Sequence, residues 1–162
     1  VSDFILYLEL SKIVPIIQYL KVTPLRIIGD DRGSVMHMLR SDDPHFEKFG
    51  EIYFSTTRPD AIKAWKRHKK MTLNIAAPVG RIRLVAYDAR TESTSYQKVD
   101  EFILGPNDQY ALITIPPMIW FGFQNIGSTD AVLANCATIP HDPDEIIRKS
   151  ASDESIPYDW KI

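Results

Sequence analysis

Apolar and polar positions alternate over short stretches of this chain. RIRLVAYDAR at 81 to 90 is the clearest case: Ile82, Leu84 and Ala86 share one face, and Arg83, Val85 and Tyr87 the other. That two-residue period predicts a strand. EIYFST at 51 to 56, STSYQKVDEFILG at 93 to 105, YALITIPP at 110 to 117, WFGFQNIG at 120 to 127 and AVLANCAT at 131 to 138 are further strand candidates. SVMHML at 34 to 39 alternates less strictly and gives a short one. GDDRG at 29 to 33, RPD at 58 to 60 and GPND at 105 to 108 are the turns between them. Short strands at such spacing, with no helix-period segment of ordinary length, predict an all-β domain and argue against a βαβ architecture. A small barrel or a double-sheet sandwich would bury both sheet faces at this size.

Three segments depart from this rhythm. Helix and strand readings compete over residues 61 to 70; the turn before them and the β-prone TLNI after them favour extended chain. Residues 4 to 22 are the most apolar stretch, yet Glu9, Lys12, Pro15 and Gln18 interrupt it. It is too broken for a membrane span and lacks the basic start and cleavage site of a signal peptide. Residues 1 to 28 are therefore expected to pack on the body or in a subunit interface. The end, HDPDEIIRKSASDESIPYDW, is acidic and turn-rich and reads as an irregular tail. Trp160 should fold it back onto the body, because so large an apolar ring is poorly placed in water.

Composition narrows the function. The 162 residues carry 44% hydrophobic and 25% charged side chains, as a folded domain does. They are read as one domain, 1 to 162. A formal charge of -2 gives no basic balance for nucleic acid. The single cysteine, Cys136, rules out an intrachain disulfide framework and suggests a reducing, cytoplasmic setting. Its apolar neighbours favour a buried inert thiol. Four histidines, His37, His45, His68 and His141, form no compact ligand set, so no metal is expected.

The unusual segment is KAWKRHKK at 63 to 70. As a strand it would place Lys66, His68 and Lys70 on one face and Lys63, Trp65, Arg67 and Lys69 on the other. One reading is a solvated edge whose lysines discourage pairing with other chains. The other is a positive pocket for a carboxylate, phosphate or enolate. A histidine between lysines would be held neutral and able to take a proton, while the cations stabilise a developing oxyanion. Arg32 is either a turn arginine paired with Asp30 or Asp31, or a contact to an anion. Phe121 and Phe123 alternate and suit an interior wall.

In chain order, DRG at 31 to 33, EIYFSTTRPDAIKAW, the VG turn with LVAYDAR, IPPMIWFGF at 115 to 123 and SDESIPYDW at 152 to 160 resemble the landmarks of the cupin-fold nucleotide-sugar epimerases, typified by dTDP-4-dehydrorhamnose 3,5-epimerase. The resemblance runs from about Asp31 to Trp160. It implies a double-stranded β-helix, the cupin jelly-roll barrel, in a homodimer that needs no cofactor. Phe121 stands where a cupin metal histidine would be. The implied substrate is a nucleotide sugar, possibly dTDP-linked. The implied reaction removes a proton beside the ketone of a 4-keto-6-deoxyhexose and returns it. KAWKRH matches the segment of the family's base histidine. There Lys63 replaces an arginine, Lys66 falls on the base, and His68 lies two residues on. Asp153 matches the paired aspartate. The catalytic candidates are thus His68, Lys66 and Asp153. Among substrate contacts Arg32 is kept, while His37, Glu51 and Tyr53 replace a glutamate, a glutamine and an asparagine. Asn135 falls at the family's tyrosine acid and His141 near its nucleotide-stacking tyrosine. Glu145 stands for a later glutamate. These substitutions leave open an alternative: a cupin that binds a nucleotide sugar or carbohydrate without catalysis.

Overall fold

The computed structural model describes residues 13 to 160. Residues 1 to 12, and with them about half of the apolar stretch at 4 to 22, lie outside the described residues, as do 161 and 162. The strands are β1 (Lys21–Pro24), β2 (Ile27–Asp30), β3 (Gly33–Met36), β4 (Glu51–Thr57), β5 (Ile62–His68) and β6 (Leu73–Val79). They continue with β7 (Ile82–Tyr87), β8 (Val99–Leu104), β9 (Ala111–Ile115), β10 (Trp120–Asn125), β11 (Ala131–Ala137) and β12 (Ile146–Arg148). One 3₁₀ turn, Pro143–Glu145, precedes β12. Residues 61 to 70 are thus mostly extended, and 149 to 160 carry no regular element.

The strands form two five-stranded sheets, ordered β1-β9-β6-β11-β4 and β12-β5-β10-β7-β8, and a separate hairpin β2-β3. The all-β class stands, but the expected jelly-roll barrel is corrected. Among the described residues no ladder joins the two large sheets, so β1 and β4 edge one and β12 and β8 edge the other. Side chains, not backbone hydrogen bonds, hold sheet to sheet. Leu73, Ile75, Ile113 and Leu133 of the first sheet share an apolar cluster with Ile82, Leu84, Phe102, Phe121 and Phe123 of the second. Side-chain packing can hold two open sheets face to face without closing either one.

Both faces of the second sheet are covered. Ile82, Leu84 and Ala86 on β7 point into the shared core. Val85 and Tyr87 join Trp65, Trp120, Ile156 and Trp160 in a second cluster on the opposite face. The tail supplies that cover: the Trp160 and Trp65 rings lie 5.0 Å apart, and Tyr158 meets Trp160 at 4.9 Å. The fit needs a glycine beneath it. A Cβ at Gly122 would stand 2.5 Å from Ala64 Cβ and 2.9 Å from Trp160 Cζ2. Gly80, at φ +80, turns the chain between β6 and β7 where a side chain would strike Ala131.

At the other end, Ile17 and Leu20 are buried in the main core. Asp100 fixes this entry by accepting the Ile16 and Ile17 amides, and Ser95 Oγ accepts that of Gln18 at 2.7 Å. Ser95 is tied in turn to Asp88, whose buried carboxylate also holds Arg90.

Trp160→Ala should cost about 3 kcal/mol, the usual range for emptying a buried aromatic site. Urea denaturation at neutral pH reads it, and an unchanged midpoint would mean that the tail does not hold the sheet.

Candidate active site

Lys66 and His68, two residues apart on β5, face a cavity of about 350 Å³ between the two sheets. β4 contributes Glu51 and Tyr53 from the first sheet, β12 contributes Ile146 and Arg148 beside β5, and Met71 and His141 complete the lining.

His68 is the most constrained of these residues. Its side chain and that of Glu145 are each only 5% exposed, with Nδ1 and Oε2 2.6 Å apart. Oε1 of Glu145 accepts the backbone amides of Lys70 at 2.5 Å and Met71 at 2.8 Å. The 3₁₀ turn delivers that glutamate: Asp142 caps it by accepting the Asp144 amide, and the Glu145 carbonyl accepts the Lys69 amide. The Phe121 ring stacks against the imidazole at 6.1 Å. The His68 carbonyl accepts the Met118 amide at 2.8 Å.

The proton inventory follows. Burial pushes the Glu145 carboxyl up, but the Lys70 amide, the His68 ring and the Met71 amide outweigh it and hold the group below its usual range. The ionised carboxylate then takes a hydrogen bond from Nδ1–H, which leaves the lone pair on Nε2. Among the described residues nothing hydrogen-bonds Nε2. Burial lowers the His68 pKa below 6.5; Glu145 opposes this, and Lys66 and Arg148 add to it. The imidazole is therefore neutral near pH 7.

Cations flank that lone pair. Arg148 lies opposite Lys66 in the β12–β5 ladder. Burial, then Arg148 and Lys63, bring the Lys66 pKa down. Lys63 does not follow the simple alternation. It pairs with Phe123 and Lys66 pairs with Phe121, so β5 holds one extra residue between the two positions. That bulge swings Lys63 toward the inner side, where Nζ lies 6.0 Å from the Phe123 ring centroid and donates to the Thr56 carbonyl at 2.6 Å.

On the facing wall, Tyr53 Oη accepts a hydrogen bond from Asn135 Nδ2 at 2.8 Å. Asn135 is itself fixed, its Oδ1 accepting the Asn74 amide at 3.1 Å. Burial raises the Tyr53 pKa, only partly offset by Asn135, so the phenol stays protonated. A neutral imidazole, nearby cations and a phenol across the gap form a set suited to taking a proton from a carbon acid and stabilising the anion formed.

No protein-family model matches the chain. It is 36% identical over 151 residues to the probable low-salt glycan biosynthesis epimerase Agl13 of Haloferax volcanii, spanning 90% of this chain and 91% of that protein. The chain belongs to the dTDP-4-dehydrorhamnose 3,5-epimerase-like family of nucleotide-sugar epimerases. A crystal structure of a dTDP sugar isomerase from Desulfovibrio desulfuricans G20 superposes on it with a TM-score of 0.89 at 43% identity, covering 91% of this chain and 94% of that one. The dTDP-4-dehydrorhamnose 3,5-epimerase of Bacillus anthracis shares the fold, with a TM-score of 0.79 at 18% identity, over 89% of this chain and 86% of that one. This is a family of cofactor-independent epimerases and isomerases. Among the described residues no group of three or more His, Cys, Asp or Glu stands together as a metal site, and no helix is long and apolar enough to cross a membrane.

Within this family member the candidates separate. His68, Lys66, Glu51, Tyr53 and His141 meet at one cavity. Glu145, Phe121 and Asn135 stand directly behind it, each touching a lining residue. Asp153 does not join them: it bonds the Ser155 amide and Lys149 and borders a separate hollow under the tail. The carboxylate on the histidine is Glu145. Arg32 pairs with Asp30 on the exposed β2–β3 hairpin, and His37 borders another hollow whose wall includes Arg26 and His45. Sequence reasoning missed Met71, Ile146 and Arg148. Only Arg148 carried a signal, the first of two adjacent cations after two isoleucines in the tail.

Two lowered pKa values fix the sign of the acid response. His68 lies below 6.5 and Glu145 below 4.5 in the folded chain. The unfolded chain therefore binds more protons on acidification, and stability held in full above pH 6.5 is lost as pH falls through the folded values. Glu145→Ala should cost about 3 kcal/mol at pH 7, because two buried amides and the imidazole lose their acceptor. Denaturation between pH 4 and 8 measures both effects; stability that rises on acidification through this window would contradict the assignment.

Proposed function

We propose that this protein epimerises or isomerises a nucleotide-linked 4-keto-6-deoxyhexose by taking a proton from a carbon beside the ketone and returning it. The observation that carries the reading is the buried His68–Glu145 pair beside a cation-flanked cavity. Nε2 of His68 takes the carbon-bound proton. Glu145 holds the ring and balances the imidazolium that forms. Lys66 and Arg148 supply positive charge for the enolate oxygen or for the diphosphate of the nucleotide. A dTDP-linked sugar is the favoured substrate, in line with the sugar isomerase that shares 43% of its sequence. The sequence alone leaves the base open between Lys66 and His68. The geometry favours His68, since only it has a buried carboxylate to hold its tautomer.

A second copy of the chain forms part of this reading. Val35 on the hairpin, Phe49 before β4 and Phe54 on the β4 edge are all more than 60% exposed. Apolar area of that kind suits a homodimer interface. Light scattering at micromolar concentration should give a dimer; a monomer would contradict this part.

The catalytic part is tested in deuterated water with dTDP-4-keto-6-deoxy sugars. Wild-type protein should exchange hydrogen beside the ketone, and His68→Asn should lower that rate by two to four orders of magnitude. Binding without any exchange by wild type would favour a non-catalytic sugar-binding protein instead.

A further inference from the structure

Inversion at a carbon needs a base on one face and a proton source on the other. His68 and its carboxylate fill one wall of the cavity, on the second sheet. The first sheet contributes two side chains to the facing wall, Glu51 and Tyr53. Of these two types, only a phenol carries a proton throughout the neutral range.

The hydrogen bonds around Tyr53 direct its proton outward. Tyr53 and Asn135 are register partners in the β4–β11 ladder. Asn74 N donates to Asn135 Oδ1, which orients the amide so that Nδ2 donates to the phenol oxygen. Asn74 is itself locked, giving Nδ2–H to the Cys136 carbonyl and taking the Thr114 hydroxyl on Oδ1. Tyr53 Oη thus accepts from within the protein, and among the described residues nothing accepts from it. The O–H is left to donate into the cavity. Asn135 also stands ready to hold the phenolate after transfer, because its amide donates to that same oxygen.

Resting on the reading of His68 as base, we propose that Tyr53 is the proton donor that completes inversion, with Asn135 as its positioning residue. The step balances. Nε2 takes the proton from carbon, and the C–H electron pair moves into the enolate. Reprotonation at that carbon from the opposite face then breaks the Tyr53 O–H bond and leaves a phenolate. Imidazolium and phenolate each return to their starting state by exchange with water. The net result is one substrate hydrogen lost to solvent and one solvent hydrogen gained. Lys66 and Arg148 share the base's side, so they suit charge stabilisation better than delivery from across the cavity.

The test separates exchange from inversion. Wild type and Tyr53→Phe are incubated with a dTDP-4-keto-6-deoxy sugar in deuterated water. Proton NMR then follows deuterium uptake and the configuration of the reacting carbon. The proposal expects Tyr53→Phe to lower inversion at least a hundredfold relative to uptake. Asn135→Ala should show the same split more weakly, a pattern that general loosening of the fold would not give. Thermal unfolding of each variant checks that it is folded. Inversion by Tyr53→Phe within threefold of wild type would overturn the proposal. Equal loss of uptake and inversion would also overturn it, assigning Tyr53 to binding or enolate stabilisation. Wild-type uptake without inversion would overturn it too, yet leave His68 as base. Absence of wild-type uptake would fail the underlying reading itself.

Discussion

The site depends on one carboxylate. Glu145 is buried, and burial alone would favour its neutral form. Two backbone amides and one imidazole N–H reverse that preference, and all three come from the segment that ends β5 and follows it. The same oxygens therefore do two things. They close the chain after β5 against the turn before β12, and they set the tautomer of His68. Removing the carboxylate would leave buried donors unpaired and the ring free to choose its other tautomer. Structure and chemistry are coupled here through a handful of hydrogen bonds spanning 77 residues of sequence.

The open sheets suit this arrangement. A cavity between two separate sheets receives side chains from both, so the imidazole and the phenol enter it from different sheets. The second sheet is covered on both faces: the core lies on one and the tail aromatics on the other. Trp65 points to the tail side while its neighbour Lys66 points to the cavity, so one strand serves packing and chemistry by simple alternation. The bulge then adds Lys63 to the charged side without breaking the ladder to β10.

Much of this was legible in the sequence, and the gaps have physical causes. Alternation on β7 shows directly which residues meet the core and which meet the tail. Residues 61 to 70 could be read as extended, and Lys66 with His68 could be placed on one face. Period, however, reports which face is buried and not which edges pair, so it could not decide between a closed barrel and two open sheets. One inserted residue in β5 shifts Lys63 by half a period, and no residue type announces it. β12 spans only Ile146–Arg148, too few residues to show a period inside an acidic tail. Glu145 was visible as a substrate-contact candidate, but its union with His68 is a long-range closure that no local pattern encodes. The family resemblance pointed instead to Asp153, which is occupied by Ser155 and Lys149.

The central claim is that Glu145 holds His68 as a neutral imidazole with its proton on Nδ1. Imidazole nitrogen NMR on uniformly ¹⁵N-labelled protein tests it directly, since the four histidines can be assigned one by one. The account predicts that at pH 7 His68 shows a protonated Nδ1 and an unprotonated Nε2, and that it titrates below 6.5. An Nε2–H tautomer, or an imidazolium at pH 7, would contradict it.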